Sequence, residues 1–222
     1  MKVGTDGVLL GAWVEPLPAP LLKRGRILDV GTGSGLIARM LMQRCPQAEV
    51  EGIDIDAAAV EQARENGIKA FCSRLQDWGI GTQSSAVSVR PYDLIVSNPP
   101  YFQNSLKNPD KGRQTARHTD TLSYDELLAH SARLLSEHGQ LALILPAEAE
   151  DEVRELAARY LLYCSRATRV YSKASKPARR VLLLFEMSRS RDLEMTTDSL
   201  ILENETGGRS AAYSELCKEF YL

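Results

Sequence analysis

Four consecutive residues after an apolar run combine hydrogen-bond acceptors, a stiff backbone and an aromatic ring: Asn98, Pro99, Pro100 and Tyr101. The Asn98 amide oxygen and the Pro99 carbonyl can each accept one N–H of a planar amine, which aims the nitrogen lone pair at an electrophile. The prolines stiffen the loop and remove competing N–H donors, and Tyr101 offers a ring for stacking. We interpret the four as the catalytic residues of an enzyme that modifies a planar amine, with adenine N6 and a glutamine amide equally suitable.

A glycine-rich segment, DVGTGSG at residues 29–35, follows an earlier apolar run. Glycines allow the backbone to turn sharply and to approach a ligand at a helix N-terminus. Leu36 stands where a dinucleotide fingerprint needs a small residue. The spacing GxGxG, preceded by an aspartate, is instead typical of S-adenosylmethionine sites. The expected cofactor-binding residues here are Gly31, Gly33, Gly35 and Asp29, the last reaching the positive amino-acid end of the cofactor directly or through water.

Further cofactor-binding residues are expected at the ends of the next two predicted strands. Asp54 can accept both ribose hydroxyls in a bidentate way, and Ile55 follows it. Asp77 can accept from the adenine amine, with Trp78 or a neighbouring apolar side chain against the ring. Asn98 is expected to border the same pocket, because the carboxyl ends of parallel strands face one crevice.

The pattern of apolar runs and amphipathic stretches predicts alternating strands and helices, hence a mostly parallel sheet. Two late β-like runs are separated by too few residues for a crossover helix, so they are expected to pair antiparallel. Predicted strands cover 26–30, 49–55, 68–72, 92–97, 140–145, 161–171 and 180–187, and predicted helices cover 35–44, 56–66, a segment from Ser123, and 147–160.

These elements predict an α/β fold of the Rossmann-like class I methyltransferase type. The expected sheet has seven strands, is mostly parallel with an antiparallel final strand, and carries helices on both faces. Residues 79–90 and 103–121 are predicted as loops, and a loop as long as the second is usually either functional or disordered. We expect a single domain spanning residues 1–222.

Composition narrows the functional classes. The chain has 222 residues, 44% hydrophobic and 25% charged, with a formal net charge of −2, so any nucleic-acid contact requires a local basic patch. The four cysteines form no CxxC pair and are expected to be reduced, and the three histidines lack zinc-site spacing, so no metal is expected. There is no apolar run of roughly 18 residues and no secretory signal pattern, which favours a cytoplasmic protein.

Several segments spread along the chain match one known family: 2–13 (KVGTDGVLLGAW), the glycine loop, 53–54, 94–101, 180–185 and 220–222. Through them the chain resembles the bacterial valine tRNA adenine-37 N6-methyltransferases over essentially its whole length. The resemblance implies methyl transfer from S-adenosylmethionine to N6 of the adenine next to the anticodon, and implies that Thr5 and Asp6 line the cofactor pocket. Independently, the opening segment predicts an amphipathic helix packed on the sheet.

Lysine and arginine are concentrated in two places that the topology puts near the expected acceptor site. One is the predicted hairpin turn, and the other is the loop after the 98–101 tetrad. Both can contact tRNA phosphates, although a solvated charged surface is the alternative. The candidate RNA-binding residues are Lys173, Lys176, Arg179 and Arg180 in the hairpin, and Arg113 and Arg117 in the loop.

Three alternatives remain open from the sequence. A protein-glutamine N5-methyltransferase acting on a release factor uses the same tetrad, but such enzymes usually carry an N-terminal helical domain. A DNA adenine methyltransferase usually needs a target-recognition domain. A non-catalytic RNA-binding module could keep the fold, although the intact glycine loop, Asp54 and tetrad disfavour it. We expect a monomeric enzyme.

Overall fold

The computed structural model describes residues 4–14, 25–79, 91–100, 122–188 and 194–220. Its strands form a single sheet. They are β1 (Arg26–Val30), β2 (Glu49–Asp54), β3 (Lys69–Cys72), β4 (Tyr92–Ser97), β5 (Leu135–Pro146), β6 (Leu162–Tyr171), β7 (Ala178–Met187) and β8 (Thr196–Ile201).

Helices alternate with the strands, as the sequence predicts. The third helix begins at its Asp56 N-cap, and the fourth begins with the capping box of Ser123 and Glu126. The helices are α1 (Thr5–Trp13), α2 (Leu36–Arg44), α3 (Ala57–Glu65), α4 (Tyr124–Leu134), α5 (Glu150–Ala158), which follows a 3-10 turn (Ala147–Ala149), and α6 (Ala211–Leu216).

The sheet order is β3-β2-β1-β4-β5-β7-β6-β8. β7 runs antiparallel to both β5 and β6, whereas the other pairs are parallel. This confirms the class I methyltransferase fold and the antiparallel pairing of β6 with β7. The expected count of seven strands is wrong, because β8 extends the described sheet beyond β6. Its sequence lacks apolar alternation, since the first four of its six residues are exposed.

Two apolar layers cover the sheet, because successive strand residues point to opposite faces. One layer contains α1, α2, α3 and α6, and receives Ile27 of β1. The other contains α4 and α5, and receives the next residue, Leu28. Both side chains are fully buried. The helices thus leave the carboxyl ends of the strands as a distinct edge of the sheet.

α1 packs closely on α2 through two glycines. A Cβ added at Gly7 would lie 3.1 Å from the Leu36 side chain, and one added at Gly11 would lie 2.7 Å from the sulfur of Met40. All residues from Gly7 to Trp13 are buried. The expected packing of α1 on the sheet is confirmed, whereas the expected amphipathic pattern is wrong, because α2 also covers the helix.

The start of β5 also differs from the sequence-based expectation. β5 starts at Leu135 rather than at residue 140, and its pairing with β4 shifts register between Tyr92 and Leu94. Gly139 allows this irregularity, because a Cβ there would lie 2.8 Å from the Tyr92 carbonyl oxygen. Residues 80–90 and 101–121 lie outside the described residues, and with them the predicted loop 103–121, Tyr101, Arg113 and Arg117.

Candidate active site

The glycine loop turns between β1 and α2 in left-handed backbone conformations. The φ angles are 72° at Gly31, 55° at Gly33 and 81° at Gly35, where L side chains are strained. A Cβ at Gly31 would meet nothing within 4 Å, whereas one at Gly35 would lie 2.6 Å from Ile68. Gly31 therefore borders open space that a ligand can enter, and Gly35 allows the start of α2 to pack closely on Ile68.

The loop is fixed to the end of β2 by the Asp54 carboxylate. Gly33 N–H donates to its Oδ2 at 2.9 Å, and Asp56 N–H donates to its Oδ1 at 3.0 Å. Each carboxylate oxygen has a second acceptor position, so Asp54 is held in place and can still accept ribose hydroxyls. Ile55, which follows it, is 58% exposed and offers an apolar surface at the same edge.

Asp29 lies beneath the loop and is completely buried. Its Oδ2 accepts from the Thr32 hydroxyl at 2.8 Å and from Ala38 N–H at 3.1 Å. Its Oδ1 has no hydrogen-bond partner within the described part of the chain. Burial raises the pKa of Asp29 to about 6, although the two hydrogen bonds oppose the rise. A buried carboxylate with a free acceptor fits a positively charged ligand group, as the amino-acid end of S-adenosylmethionine provides.

The segment after β3 only partly matches its expected role. Asp77 is exposed. Trp78 donates its ring N–H to the Tyr92 hydroxyl at 3.0 Å and packs against Phe71, with ring centroids 5.1 Å apart. Because Tyr92 begins β4, this bond directs the indole N–H away from the carboxyl edge. Contact of Asp77 and Trp78 with adenine stays a prediction, and Ile55 is the more accessible apolar surface.

The 98–101 tetrad begins beside the glycine loop. Val30 and Ser97 end neighbouring parallel strands and are register partners, so Gly31 and Asn98 leave the sheet about 5 Å apart. The buried Ser97 hydroxyl donates to the Val30 carbonyl at 2.8 Å. Asn98 is half-buried, and Pro99 and Pro100 are buried and exposed, respectively. The structure thus brings the predicted amine-binding residues next to the predicted cofactor loop.

The basic hairpin turn, residues 172–177, lies at this same edge of the sheet. Arg180 of β7 pairs in register with Pro146, the last residue of β5. Arg180 Nε donates to Asp6 Oδ2 at 2.9 Å, and Lys173 lies 3.5 Å from Glu203. Two residues that the sequence assigned to different roles, Asp6 to the cofactor and Arg180 to RNA, are therefore paired with each other.

The remaining basic residues of the hairpin have no such neutralisation. Lys176 and Arg179 are exposed, and neither forms an ion pair with another described residue. Thr5 is also exposed, at the start of α1. Lys176 and Arg179 are therefore the best placed of the predicted RNA-binding residues to meet a phosphate backbone.

Sequence reasoning overlooked one set of contacts that supports the site. Glu126 caps α4 by accepting from Ser123 N–H through Oε2 at 2.9 Å, and its Oε1 accepts from the Gln76 amide at 3.3 Å. Arg133, near the end of α4, donates to the Trp78 carbonyl at 2.9 Å. α4 thus holds the segment that carries Asp77. The capping box was visible in the sequence, but nothing in the sequence indicates its contact with Gln76.

The described residues contain no group of three or more His, Cys, Asp or Glu side chains arranged to hold a metal ion. They also contain no helix of the length and hydropathy needed to span a membrane.

Relatives with established names match the chain over its whole length. The protein named tRNA1(Val) (adenine(37)-N6)-methyltransferase from Bacteroides fragilis is 43% identical, with 100% of this chain and 91% of the relative aligned. The protein of the same name from Parabacteroides distasonis is 45% identical over the same shares. A solved structure described as a predicted O-methyltransferase from Agrobacterium tumefaciens superposes with a TM-score of 0.71, covering 96% of each chain at 18% identity. That structural likeness shows the fold.

The family described as methyltransferase small domain matches residues 11–160. This range contains the glycine loop, Asp54 and the first residues of the tetrad, which the structure gathers at one edge of the sheet. Together with the full-length relatives, it shows that the protein is a methyltransferase that uses S-adenosylmethionine as methyl donor. The chain belongs to the methyltransferase small domain family.

Proposed function

We propose that this protein transfers the methyl group of S-adenosylmethionine to N6 of adenine 37 in the anticodon loop of valine tRNA. The observation that carries the proposal is the position of Asn98, next to Gly31 on the neighbouring strand and held there by the Ser97–Val30 hydrogen bond. The full-length relatives named for this reaction support the choice of acceptor.

The tetrad residues would act on the acceptor amine. When bound, S-adenosylmethionine supplies an electrophilic methyl group. The Asn98 amide oxygen and the Pro99 carbonyl would each accept one N–H, which withdraws the nitrogen lone pair from the aromatic ring. These bonds strengthen as the nitrogen becomes positive, so they favour the transition state. The proton leaves to water after transfer, when the nitrogen is strongly acidic, so no dedicated base is required. Tyr101 would stack on the base.

Different residues would bind different parts of the cofactor. Asp29 and the glycine loop would hold the amino-acid end, Asp54 would accept from the ribose hydroxyls, and Ile55 would pack against the adenine ring. The open space beside Gly31 supports this assignment, because the same loop is hydrogen-bonded to Asp54 through the Gly33 N–H. Thr5 and Asp6 would cover the pocket from the side of α1.

The exposed cations of the hairpin turn would hold the RNA backbone. Lys176 and Arg179 lie at the edge where Asn98 leaves the sheet, and phosphate contacts position RNA without reading its sequence. An anticodon-loop base is already unpaired, so presenting it to the site costs little free energy. Arg113 and Arg117 lie outside the described residues, and contact of these two arginines with the RNA stays a prediction.

The test is methyl transfer to an unmodified valine tRNA transcript, followed by nucleoside analysis. We expect N6-methyladenosine with the natural transcript and none when adenine 37 is replaced by guanine. Methylation of a release-factor glutamine without methylation of tRNA would instead establish the protein-glutamine alternative. Tight tRNA binding with no transfer to any acceptor would indicate a non-catalytic RNA-binding module.

We also propose that the protein acts as a cytoplasmic monomer with one methyltransferase domain. The continuous sheet from β1 to β8 supports a single domain, and a tRNA acceptor places the enzyme where tRNA is processed. Light scattering of the purified protein at micromolar concentration should give a mass near 24.6 kDa. A mass of twice that value would contradict the monomer.

A further inference from the structure

The Asp6–Arg180 ion pair connects the N-terminal helix to the strand that follows the basic turn. Arg180 Nε donates to Asp6 Oδ2 at 2.9 Å, across 174 residues of sequence. The Asp6 side chain is 23% exposed and the Arg180 side chain is 29% exposed. Partial burial reduces solvent screening, so a pair of this kind contributes more than one that is fully exposed.

Asp6 lies at the end of α1 nearest the glycine loop. Gly7, the next residue, packs against Leu36, which begins α2 immediately after the loop. Gly4, the N-cap of α1, makes no side-chain capping hydrogen bond. A carboxylate in the first turn of a helix is also stabilised by the helix dipole. Asp6 is therefore placed to fix this end of α1 beside the glycine loop.

The opposite end of α1 is held by other contacts. Arg44 donates to the carbonyls of Gly11 and Ala12 at 3.2 and 2.9 Å. Trp13 donates its ring N–H to the buried Thr168 hydroxyl at 2.8 Å. Loss of the Asp6–Arg180 pair should therefore loosen the first turn of α1 and leave its last turn in place.

Two of the Arg180 donors bind groups of the protein itself. Besides the bond from Nε to Asp6, its Nη1 donates to the Arg179 carbonyl at 2.9 Å. A phosphate would have to compete with the Asp6 carboxylate for this guanidinium. Arg179, the preceding residue, is exposed and forms no ion pair with a described residue. Two adjacent arginines thus have different surroundings.

We propose that Arg180 is a positioning residue of the cofactor pocket, acting through Asp6, while its neighbour Arg179 serves the RNA. Arg180 holds Asp6, and Asp6 holds the first turn of α1 beside the glycine loop where the cofactor binds. The part concerning Arg179 rests on the proposed tRNA function. The part concerning Arg180 requires only the cofactor that the family uses.

Calorimetric titration of the full-length protein with S-adenosylhomocysteine tests the role of Arg180. We expect Arg180→Gln to weaken binding by about 5- to 30-fold, which lies within the coupling found between contacting residues. In an Asp6→Asn background the same substitution should weaken binding by a clearly smaller factor, because the charge of the partner is already lost and only a neutral amide oxygen remains. Arg180→Lys keeps the charge and should recover part of the affinity, which separates loss of the pair from general misfolding.

Arg179→Gln is the matched control, at the adjacent residue and with the same loss of charge. It should leave S-adenosylhomocysteine affinity unchanged and reduce the salt dependence of tRNA binding by about one unit of slope. Arg180→Gln should leave that slope unchanged. The proposal is overturned if Arg180→Gln retains full cofactor-product affinity, or if it weakens binding equally in the Asp6→Asn background. Absence of tRNA binding in the wild type would count against the proposed function alone.

Discussion

The two ends of the central sheet both carry charged side chains, but they place them in opposite surroundings. At the amino end, Glu51 accepts from Arg26 Nη2 at 2.6 Å and from the Tyr92 hydroxyl at 2.8 Å. The other carboxylate oxygen of Glu51 lies 2.6 Å from Lys69 Nζ. The Trp78 ring N–H donates to the Tyr92 hydroxyl. The Glu51 and Arg26 side chains are only 5% and 7% exposed.

At the carboxyl end, charged and polar groups keep capacity for a ligand. Asp29 has a buried oxygen without a partner, Asp54 has acceptor positions to spare, and Lys176 and Arg179 face solvent. The difference shows how one sheet combines stability with binding. Charges that are paired with each other inside the sheet hold the strands together, whereas charges that keep an open acceptor position or face solvent are available to a ligand. Substitutions at the two ends should therefore affect different measurements.

The largest effect is expected for Glu51→Gln at the amino end. The substitution leaves the buried Arg26 guanidinium without its nearest carboxylate, and breaking a buried pair in this way costs about 3–5 kcal/mol. Urea unfolding should show that loss, with kcat per folded molecule unchanged. Glu61→Gln is the control, because Glu61 is 68% exposed and pairs with the exposed Arg64, and such a surface pair should contribute about 1 kcal/mol or less. Lower kcat without lower stability would contradict the division between the ends.

Asn98→Ala should give the reverse result at the carboxyl end. Loss of one acceptor aimed at the reacting group typically lowers kcat by about 10²–10³-fold. We expect that loss in methyl transfer, while S-adenosylhomocysteine affinity and the free energy of unfolding stay close to wild type. Equal loss of cofactor-product binding and of transfer would mean that Asn98 shapes the pocket rather than holding the acceptor.

Asp29 should make both stability and cofactor binding depend on pH. Its pKa is about 6 in the folded protein against 3.8 ordinarily, so the folded state retains a proton that the unfolded state loses. The free energy of unfolding should therefore fall as pH rises between these values, by at most about 3 kcal/mol. Asp29→Asn should abolish this component in urea titrations at several pH values.

Binding of S-adenosylhomocysteine should change with pH in the opposite direction. The ionised Asp29 carboxylate attracts the ligand's positive amino group, so affinity should fall as pH drops below about 6. In the Asp29→Asn variant, affinity should be low and should lose that pH dependence. A wild-type affinity that stays constant from pH 5 to 8 would show that Asp29 does not sense the ligand charge.

The smallest effect is expected from charge reversal at Lys176 in the basic turn and at Arg179 just after it. Lys176→Glu together with Arg179→Glu should weaken tRNA binding and make its salt slope shallower by about 2, because two phosphate contacts are lost. Arg159→Glu, an exposed position just after α5, is the control and should leave binding unchanged. Filter binding over a series of salt concentrations measures both. Unchanged affinity in the double variant would remove the turn from the RNA surface.

The features that sequence reasoning predicted correctly depend on residues that are close together in the sequence. The glycine loop and the tetrad each follow a short apolar run, and the structure places both at strand ends. The antiparallel pairing of β6 and β7 followed from the short connection between them. Each of these inferences requires only near neighbours in sequence and the geometry of a parallel sheet.

The errors involve contacts between distant segments. β8 has four exposed residues and no alternation, and it is a strand because β6 offers it a partner. The sequence predicts an amphipathic α1 on the sheet, but Gly7 to Trp13 are all buried, because α2 covers the helix as well. In each case the tertiary neighbour determines the outcome.

The sequence by itself therefore determined the fold class and the strand-end positions of the glycine loop and the 98–101 tetrad, because short motifs next to apolar runs specify them. The binding and catalytic roles of these residues stay predictions. Only the tertiary structure decided which charged residues remain available to a ligand. Asp6 and Arg180 are separated by 174 residues and neutralise each other, whereas Arg179, next in sequence to Arg180, stays exposed. The free energy of a charge depends on its partners and its burial, and the partners come from distant parts of the chain.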